Sequence, residues 1–193
     1  MVCRKIDISP SFIAFLCAYY YFDPMHTFAA FLLSATLHEL GHLTALLLCH
    51  IPIQQIRLRA FGTQIVTPCI SNAQELFVAS AGPAVNFLLL FLSVRKSPML
   101  ALVNLILLTY NLLPIFPLDG GRILRAILSL LLPYAAVHIA EQIISTLCTC
   151  VLLCLCAYLT CIWHAGLWPI LLAAMLILRI TDIILPERRK KLV

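Results

Sequence analysis

Long apolar stretches separated by short polar clusters run along the whole chain. Residues 142–178 contain no charged side chain, and this stretch is longer than the roughly 20 residues that one helix needs to cross a bilayer. The turn-forming residues at 164–169 divide it into two spans. The same pattern predicts six spans in total: about 8–22, 25–49, 72–94, 97–114, 136–161 and 168–185.

The interval between the second and third spans has a different pattern. Residues 56–61 alternate between apolar and basic or small side chains, Gly62 can make a tight turn, and residues 64–67 can return as a second strand. We predict a short β-ribbon here, and a basic amphipathic loop on the lipid headgroups is the alternative. The expected fold class is an all-α polytopic membrane protein with about six transmembrane helices and this ribbon.

Composition narrows the class of protein. Of the 193 residues, 63% are hydrophobic and 11% are charged, and the mean hydropathy of +1.04 excludes an ordinary cytosolic globule. The net charge of +5 is spread in small clusters between the spans, so nucleic acid is not an expected partner and the lipid bilayer is. An odd count of nine cysteines argues against a disulfide scaffold.

The distribution of Lys and Arg predicts the orientation of the spans. Ten cations fall on one side of the six-span arrangement, whereas only Arg95 and Lys96 fall on the other. Because cytoplasmic loops carry the excess of Lys and Arg, we expect both termini in the cytoplasm. The first apolar segment follows Arg4 and Lys5 as in a signal peptide, but no small-residue cleavage site follows it, so we expect it to be retained.

The second span contains the sequence His38-Glu39-Leu40-Gly41-His42. Helix positions four apart are offset by about 40° and 6 Å, so both imidazoles can bind one metal ion. Glu39 flanks this pair, where a general base for a metal-bound water belongs. A charged group in mid-membrane costs about 2.5 to 3.5 kcal/mol, so these residues are expected at a site rather than only bonded to neighbouring helices.

A catalytic zinc takes a third protein ligand, and Asp119 is the best candidate. It lies in residues 111–122, where Pro114 and Pro117 interrupt the helix and two glycines permit unusual backbone conformations. Irregular backbone at membrane depth is tolerated only around a protein-lined cavity. Asp119 is also expected to cap a following short helix, and an ordinary cap in a cytoplasmic turn is the alternative.

Three motifs together carry a resemblance. The chain has HELGH at 38–42, AGPAVN at 81–86 and NLLPIFPLDGGR at 111–122. In this order they resemble the site-2 protease family of intramembrane zinc metalloproteases, over most of residues 25–132. The resemblance implies one Zn²⁺ per chain.

The resemblance further implies that the zinc is bound by His38, His42 and Asp119 and that the catalytic base is Glu39. The resemblance also places Asn86 near the site, holding a substrate carbonyl or the oxyanion, with a helix-packing role as the alternative. Gly82 is expected to permit close approach of two helices.

The brevity of the chain points to the compact bacterial branch of the family, which includes the stage IV sporulation protease. We expect residues 1–193 to be a single membrane-embedded metalloprotease domain without a PDZ or CBS domain. The expected location is therefore a bacterial cell membrane, as a multi-pass protein.

The predicted function is a zinc metalloendopeptidase that hydrolyses a peptide bond of a membrane-associated or transmembrane substrate, in regulated intramembrane proteolysis. Regulatory membrane proteins are further candidate partners. The alternative is a membrane zinc-binding protein or metal transporter without peptidase activity. Transporters usually contain paired repeats, which are not visible in this sequence, and a carrier does not need a base beside two histidines.

The remaining polar residues are predicted to be structural. His138 and Glu141 lie three apart on the fifth span and are expected to contact each other, as are Arg179 and Asp182. The cysteines of residues 148–161 lack a CxxC spacing and are expected to be packing residues.

Overall fold

The computed structural model of the chain describes residues 6–21, 23, 26–59 and 62–162. The predicted span at 168–185, its preceding turn and the Arg179–Asp182 pair lie outside these residues. The described elements, in chain order, are β1 (Ile6–Ile8), α1 (Pro10–Tyr21), α2 (Phe28–Leu48), β2 (Gln55–Arg59), β3 (Gly62–Val66), α3 (Asn72–Ser93), α4 (Pro98–Asn111), α5 (Asp119–Leu131) and α6 (Tyr134–Cys161).

The helices confirm the predicted fold class, although not every predicted span has the length of a bilayer. Helices α2, α3 and α6 are long and apolar enough to cross a membrane. Helix α1 has 12 residues and α4 has 14, which correspond to about 18 and 21 Å of helix against roughly 30 Å of hydrocarbon. The chain is thus an integral membrane protein, and the count of six complete crossings stays a prediction.

Helix α5 occupies the interval between the fourth and fifth predicted spans, where the sequence predicted a short helix after Asp119. It runs for 13 residues. Its charged residues Asp119, Arg122 and Arg125 recur every third position, so they share one side of the helix. This spacing lets α5 present charge to α3 and α6, with which it packs.

The predicted ribbon is present as part of a larger sheet. Strands β2 and β3 pair antiparallel from Gln55 opposite Val66 to Arg59 opposite Gly62, so the segment is a ribbon and not an unpaired amphipathic loop. Gly62 is the first residue of β3 and has a φ of 120°, which favours glycine. Strand β1 pairs parallel with β2 and was not predicted, because three residues are too few for alternation to be recognised.

Helix α3 is the central helix of the described residues and packs against α2, α4 and α5. It begins with a capping box, in which the Gln74 N–H donates to Ser71 Oγ and the Ser71 N–H donates to Gln74 Oε1. The cap fixes the start of the helix. Polar residues further along α3 therefore have defined positions against the other helices.

Candidate metal centre

The two histidines of α2 converge as their spacing predicts. His38 and His42 are buried, at 6% and 4% exposure. Their Nε2 atoms lie 3.2 Å apart, and the two rings are inclined at 84°. One helix turn thus brings two nitrogen ligands to a single point inside the protein.

Asp119 reaches the same point from the first residue of α5. Its Oδ2 lies 3.0 Å from His38 Nε2 and 3.2 Å from His42 Nε2. Ligand atoms on a tetrahedral zinc are about 3.3 Å apart, given metal–ligand bonds of about 2.0 to 2.1 Å. The three atoms are therefore spaced as one zinc ion requires, and two imidazoles with a carboxylate are a donor set that zinc accepts. Among the described residues, this is the group that could hold a metal ion.

Asp119 does not cap α5, which corrects the sequence-based expectation. Leu118 is the residue before the helix, and no side chain caps the helix N-terminus. Capping needs the Asp119 side chain to fold back on its own helix, whereas here the carboxylate is turned outward to the two histidines.

The glycines after Asp119 permit close approach instead of an unusual φ, which also corrects the expectation. Neither Gly120 nor Gly121 has a positive φ. A Cβ at Gly120 would overlap the Leu112 carbonyl, and a Cβ at Gly121 would lie 2.6 Å from the Ile115 carbonyl oxygen. The first turn of α5 therefore packs directly on the backbone of residues 112–118, and this packing places Asp119.

Gly82 has a different role from the one predicted. A Cβ there would overlap His42 Nε2 and lie 2.7 Å from His38 Nε2, so Gly82 leaves room for the imidazoles. Close helix approach is instead the property of Gly41, whose added Cβ would lie 2.9 Å from the Ala81 carbonyl oxygen. Gly41 thus allows the close approach of α2 and α3, and Gly82 leaves room for the two imidazoles of the metal centre.

The outer nitrogen of His42 is held by backbone. His42 Nδ1 lies 2.8 Å from the Val78 carbonyl oxygen. A carbonyl can only accept, so Nδ1 carries the proton and donates it. Nε2 is then left with a lone pair directed at His38 and Asp119, which is the tautomer that a metal ligand needs.

Asn86 contacts the outer nitrogen of His38. The Asn86 amide is fully buried, and its Nδ2 position lies 3.0 Å from His38 Nδ1. The two ends of an amide are interchanged by a 180° turn. With Oδ1 toward the ring, Asn86 accepts the Nδ1–H of His38 and leaves Nε2 for a metal. The contact is with the ligand itself, so the predicted packing role alone does not describe Asn86.

Sequence reasoning missed two charged residues beside Asp119. Arg122 Nε donates to Glu75 Oε1 at 2.8 Å, and Arg122 Nη1 lies 3.4 Å from Asp119 Oδ1. In the sequence, Arg122 is one of the ten cations that predict the orientation of the spans. The available signal was its position three residues after Asp119, which places both side chains on one side of α5.

Glu39 follows His38 on α2 and is partly exposed. Its charge acts on His42, and also on Arg122. The predicted base thus lies within electrostatic range of a predicted ligand, at the edge of the buried centre.

The polar pair of α6 does not form as predicted. His138 is exposed, whereas Glu141 is buried and accepts from Arg125 Nε at 2.9 Å. The Arg125 guanidinium also lies 4.4 Å from the centre of the Phe116 ring. Glu141 pairs with Arg125 of α5 and not with His138 of its own helix, because a hydrogen bond between two charged groups is the stronger one.

Comparison with known proteins shows that this chain is similar to metalloproteases. The model of Peptidase family M50 matches residues 94–155, a segment that contains Asp119 and begins after His38 and His42. A zinc metalloprotease of Methanocaldococcus jannaschii is 39% identical over 115 residues, which are 53% of this chain and 34% of that protein. Stage IV sporulation protein FB of Bacillus subtilis is 30% identical over 142 residues, 67% of this chain and 49% of that protein.

The fold agrees with a solved structure over nearly the whole chain. The site-2 protease from Methanocaldococcus jannaschii superposes with a TM-score of 0.67 and 26% identity, covering 91% of this chain and 89% of that chain. By contrast, the chain spans between about a third and a half of the length of the two relatives above.

Proposed function

Because the chain belongs to the site-2 protease family, Peptidase family M50, we propose that it is an intramembrane zinc metalloendopeptidase acting on a membrane-associated or transmembrane protein. The observation that carries the proposal is the convergence of His38 Nε2, His42 Nε2 and Asp119 Oδ2 within hydrogen-bond distances. In this proposal residues 1–193 act as a single metalloprotease domain.

His38, His42 and Asp119 would hold one Zn²⁺ per chain, with the fourth position left for water. When bound, the zinc supplies a Lewis acid and a water of lowered pKa. Glu39 takes the proton of the attacking water and later gives it to the leaving amine. Two histidines with fixed tautomers suit this role, because the contacts from Val78 and Asn86 direct both Nε2 atoms to one point.

The substrate role predicted for Asn86 becomes less direct in this proposal. An amide that is fully buried against His38 acts on the substrate through the metal ligand. We therefore assign Asn86 to orienting His38, and its contact with a substrate carbonyl or oxyanion stays a prediction.

The proposal is tested by measuring zinc content and peptide hydrolysis on the same purified protein. Glu39→Gln should keep about one zinc per chain and hydrolyse a purified membrane substrate roughly 10²- to 10⁴-fold more slowly, the usual contribution of a general base. His138→Ala, an exposed histidine of α6, is the control and should retain both. An active Glu39→Gln protein would refute the proposed base, and a wild-type protein that binds zinc without hydrolysing any substrate would favour the transporter.

Strand addition at the sheet is the proposed way of presenting a substrate. An intact helix shields its own backbone, so the scissile segment must be extended, and an exposed strand edge can hold it by main-chain hydrogen bonds. Strands β1 and β3 are the two edges of the described sheet. We favour the outer edge of β3 for an added segment, because β3 has five residues and β1 only three.

Proline at the edge tests this step. Ile65→Pro removes one backbone donor of β3, so we expect slower cleavage of a verified substrate with unchanged zinc content. Leu58→Pro removes a backbone donor of the central strand on the side of β1, where the Leu58 carbonyl accepts from the Ser9 N–H, and it should also slow cleavage by weakening the sheet. Unchanged turnover in both variants would rule out strand addition here.

The proposed location is a bacterial cell membrane with both termini in the cytoplasm. The cation distribution supports it. Reporter fusions after Lys96 should therefore report the outer side, and fusions after Arg125 and at Val193 the cytoplasm. An inverted pattern would reverse the orientation without affecting the metal centre.

A further inference from the structure

Asp119 has two carboxylate oxygens, and the structure gives them different partners. Oδ2 lies between the two histidines, at 3.0 and 3.2 Å from their Nε2 atoms. Oδ1 lies 3.4 Å from Arg122 Nη1. A carboxylate that is free to rotate about its Cβ–Cγ bond would exchange these oxygens, so a partner on Oδ1 limits which oxygen a metal meets.

Arg122 is itself fixed from a second helix. Its Nε donates to Glu75 Oε1 at 2.8 Å, and Glu75 lies in the first turn of α3, directly after the capping box. The Arg122 and Glu75 side chains are 29% and 27% exposed, whereas that of Asp119 is 8% exposed. The planar guanidinium can bond two carboxylates at once through different nitrogens, which an ammonium group does less well.

One side of α3 serves all three ligand residues. Glu75, Val78, Gly82 and Asn86 follow the spacing of three to four residues that keeps positions on one face of a helix. Val78 accepts from His42, Asn86 contacts His38, and Gly82 leaves space for both rings. Glu75 completes the set only if it acts on Asp119 through Arg122.

We propose that Arg122, held by Glu75, is a positioning residue that orients the Asp119 carboxylate for metal binding. The proposal rests on the metal centre proposed above and assigns a role to two residues outside it. Glu75 fixes Arg122 against α3, and Arg122 occupies Oδ1 so that Oδ2 faces the histidines. Outer partners of metal ligands typically contribute 10- to 100-fold in metal affinity.

The chain offers a matched control on the same helix. Arg125 lies three residues after Arg122 and also forms an ion pair with a glutamate of another helix, Glu141 of α6. Arg125 contacts Phe116 and Glu141, so its removal tests the stability of α5 without touching a ligand.

The experiment measures Zn²⁺ affinity of the purified full chain by competition with a chromophoric chelator, together with the visible spectrum of the Co²⁺-substituted protein. Arg122→Met should weaken Zn²⁺ binding by about 10- to 100-fold and change the Co²⁺ spectrum. Arg122→Lys should recover part of the loss, Glu75→Gln should show a smaller loss, and Arg125→Met should bind Zn²⁺ like the wild type. Thermal unfolding of the metal-free proteins reports any general loss of fold.

Each result decides something. Unchanged affinity and spectrum in Arg122→Met overturn the inference, as does an equal loss in Arg125→Met, since the effect would then belong to α5 as a whole. If Arg122→Met does not fold, Glu75→Gln decides, and an unaltered Co²⁺ spectrum there overturns the inference. A wild-type protein that binds neither metal would refute the proposed function itself, which is a separate outcome.

Discussion

Helices α2 and α6 both carry histidine and glutamate within apolar sequence, yet only α2 builds a centre. In α2 the histidines are buried and meet Asp119. In α6 His138 is exposed, and Glu141 is used in an ion pair with Arg125. The difference lies in the neighbouring helices. Helix α2 packs against α3, where Gly82 leaves room for the imidazoles and Val78 and Asn86 hydrogen-bond to them. Helix α6 packs against α5, where Arg125 pairs with Glu141.

The polar residues of α6 contact Arg125 of α5 and Phe116 in the segment before it, and none of these contacts reaches Asp119. Glu141 fixes Arg125, whose guanidinium lies over Phe116. The Phe116 N–H donates to Ser145 Oγ at 3.2 Å. Helix α6 thus stabilises residues 112–118, on which the first turn of α5 packs. A histidine and glutamate near each other on one helix indicate a metal site only when another segment delivers a further ligand.

Removing a ligand from α2 or α5 should give the largest effect and break the comparison most directly. His38→Ala, His42→Ala and Asp119→Ala each leave two protein ligands. We therefore expect zinc affinity to fall by more than about 100-fold, which exceeds the usual effect of removing a residue that hydrogen-bonds to a ligand. Hydrolysis should be lost with it.

The matched change on α6 is His138→Ala, which should retain zinc and activity, as measured by metal analysis beside the cleavage assay. Full zinc retention in Asp119→Ala would show that the third ligand is another residue. Asn111 and Asn86 would then be the next candidates.

Space at α3 should give an intermediate effect. Gly82→Ala places a methyl group against His38 and His42, and such overpacking typically costs 1 to 3 kcal/mol. Because the imidazoles must move to admit it, we expect weaker zinc binding. Gly41→Ala instead meets the Ala81 carbonyl, so it should lower thermal stability with a smaller change in zinc affinity. Equal zinc affinities in Gly82→Ala and the wild type would mean that the rings can shift without cost.

Sequence predicted the parts of the site that depend on local spacing. The i, i+4 histidines converge because helix geometry alone brings them together. Asp119 was found because two prolines and two glycines mark an irregular segment. The sequence predicted close helix approach for Gly82 and no role for Gly41, since a glycine does not reveal which atoms of another helix come near it.

The missed features depend on contacts between distant segments. Arg122 and Glu75 are 47 residues apart in sequence, and only the packing of α3 on α5 makes them neighbours. Strand β1 was missed because its three residues are recognisable only once β2 lies beside them. For the same reason Glu141 was assigned to the nearby His138 instead of Arg125. Local spacing finds residues on one element, whereas partners on another element require the fold.

The smallest effect is expected on the α6 side of the comparison. Glu141→Gln keeps the shape of the side chain and removes the charge that pairs with Arg125. Glu141 is buried, but the Arg125 side chain is 45% exposed and can turn toward water or lipid headgroups. We therefore expect Glu141→Gln to lower the free energy of unfolding by about 1 to 2 kcal/mol, less than the loss of a fully buried ion pair would. Thermal unfolding in detergent should show this loss, while zinc affinity and the Co²⁺ spectrum stay those of the wild type. A Glu141→Gln protein that unfolds at the wild-type temperature but binds zinc more weakly would show that α6 contributes to the metal centre. The proposed difference between α2 and α6 would then be wrong.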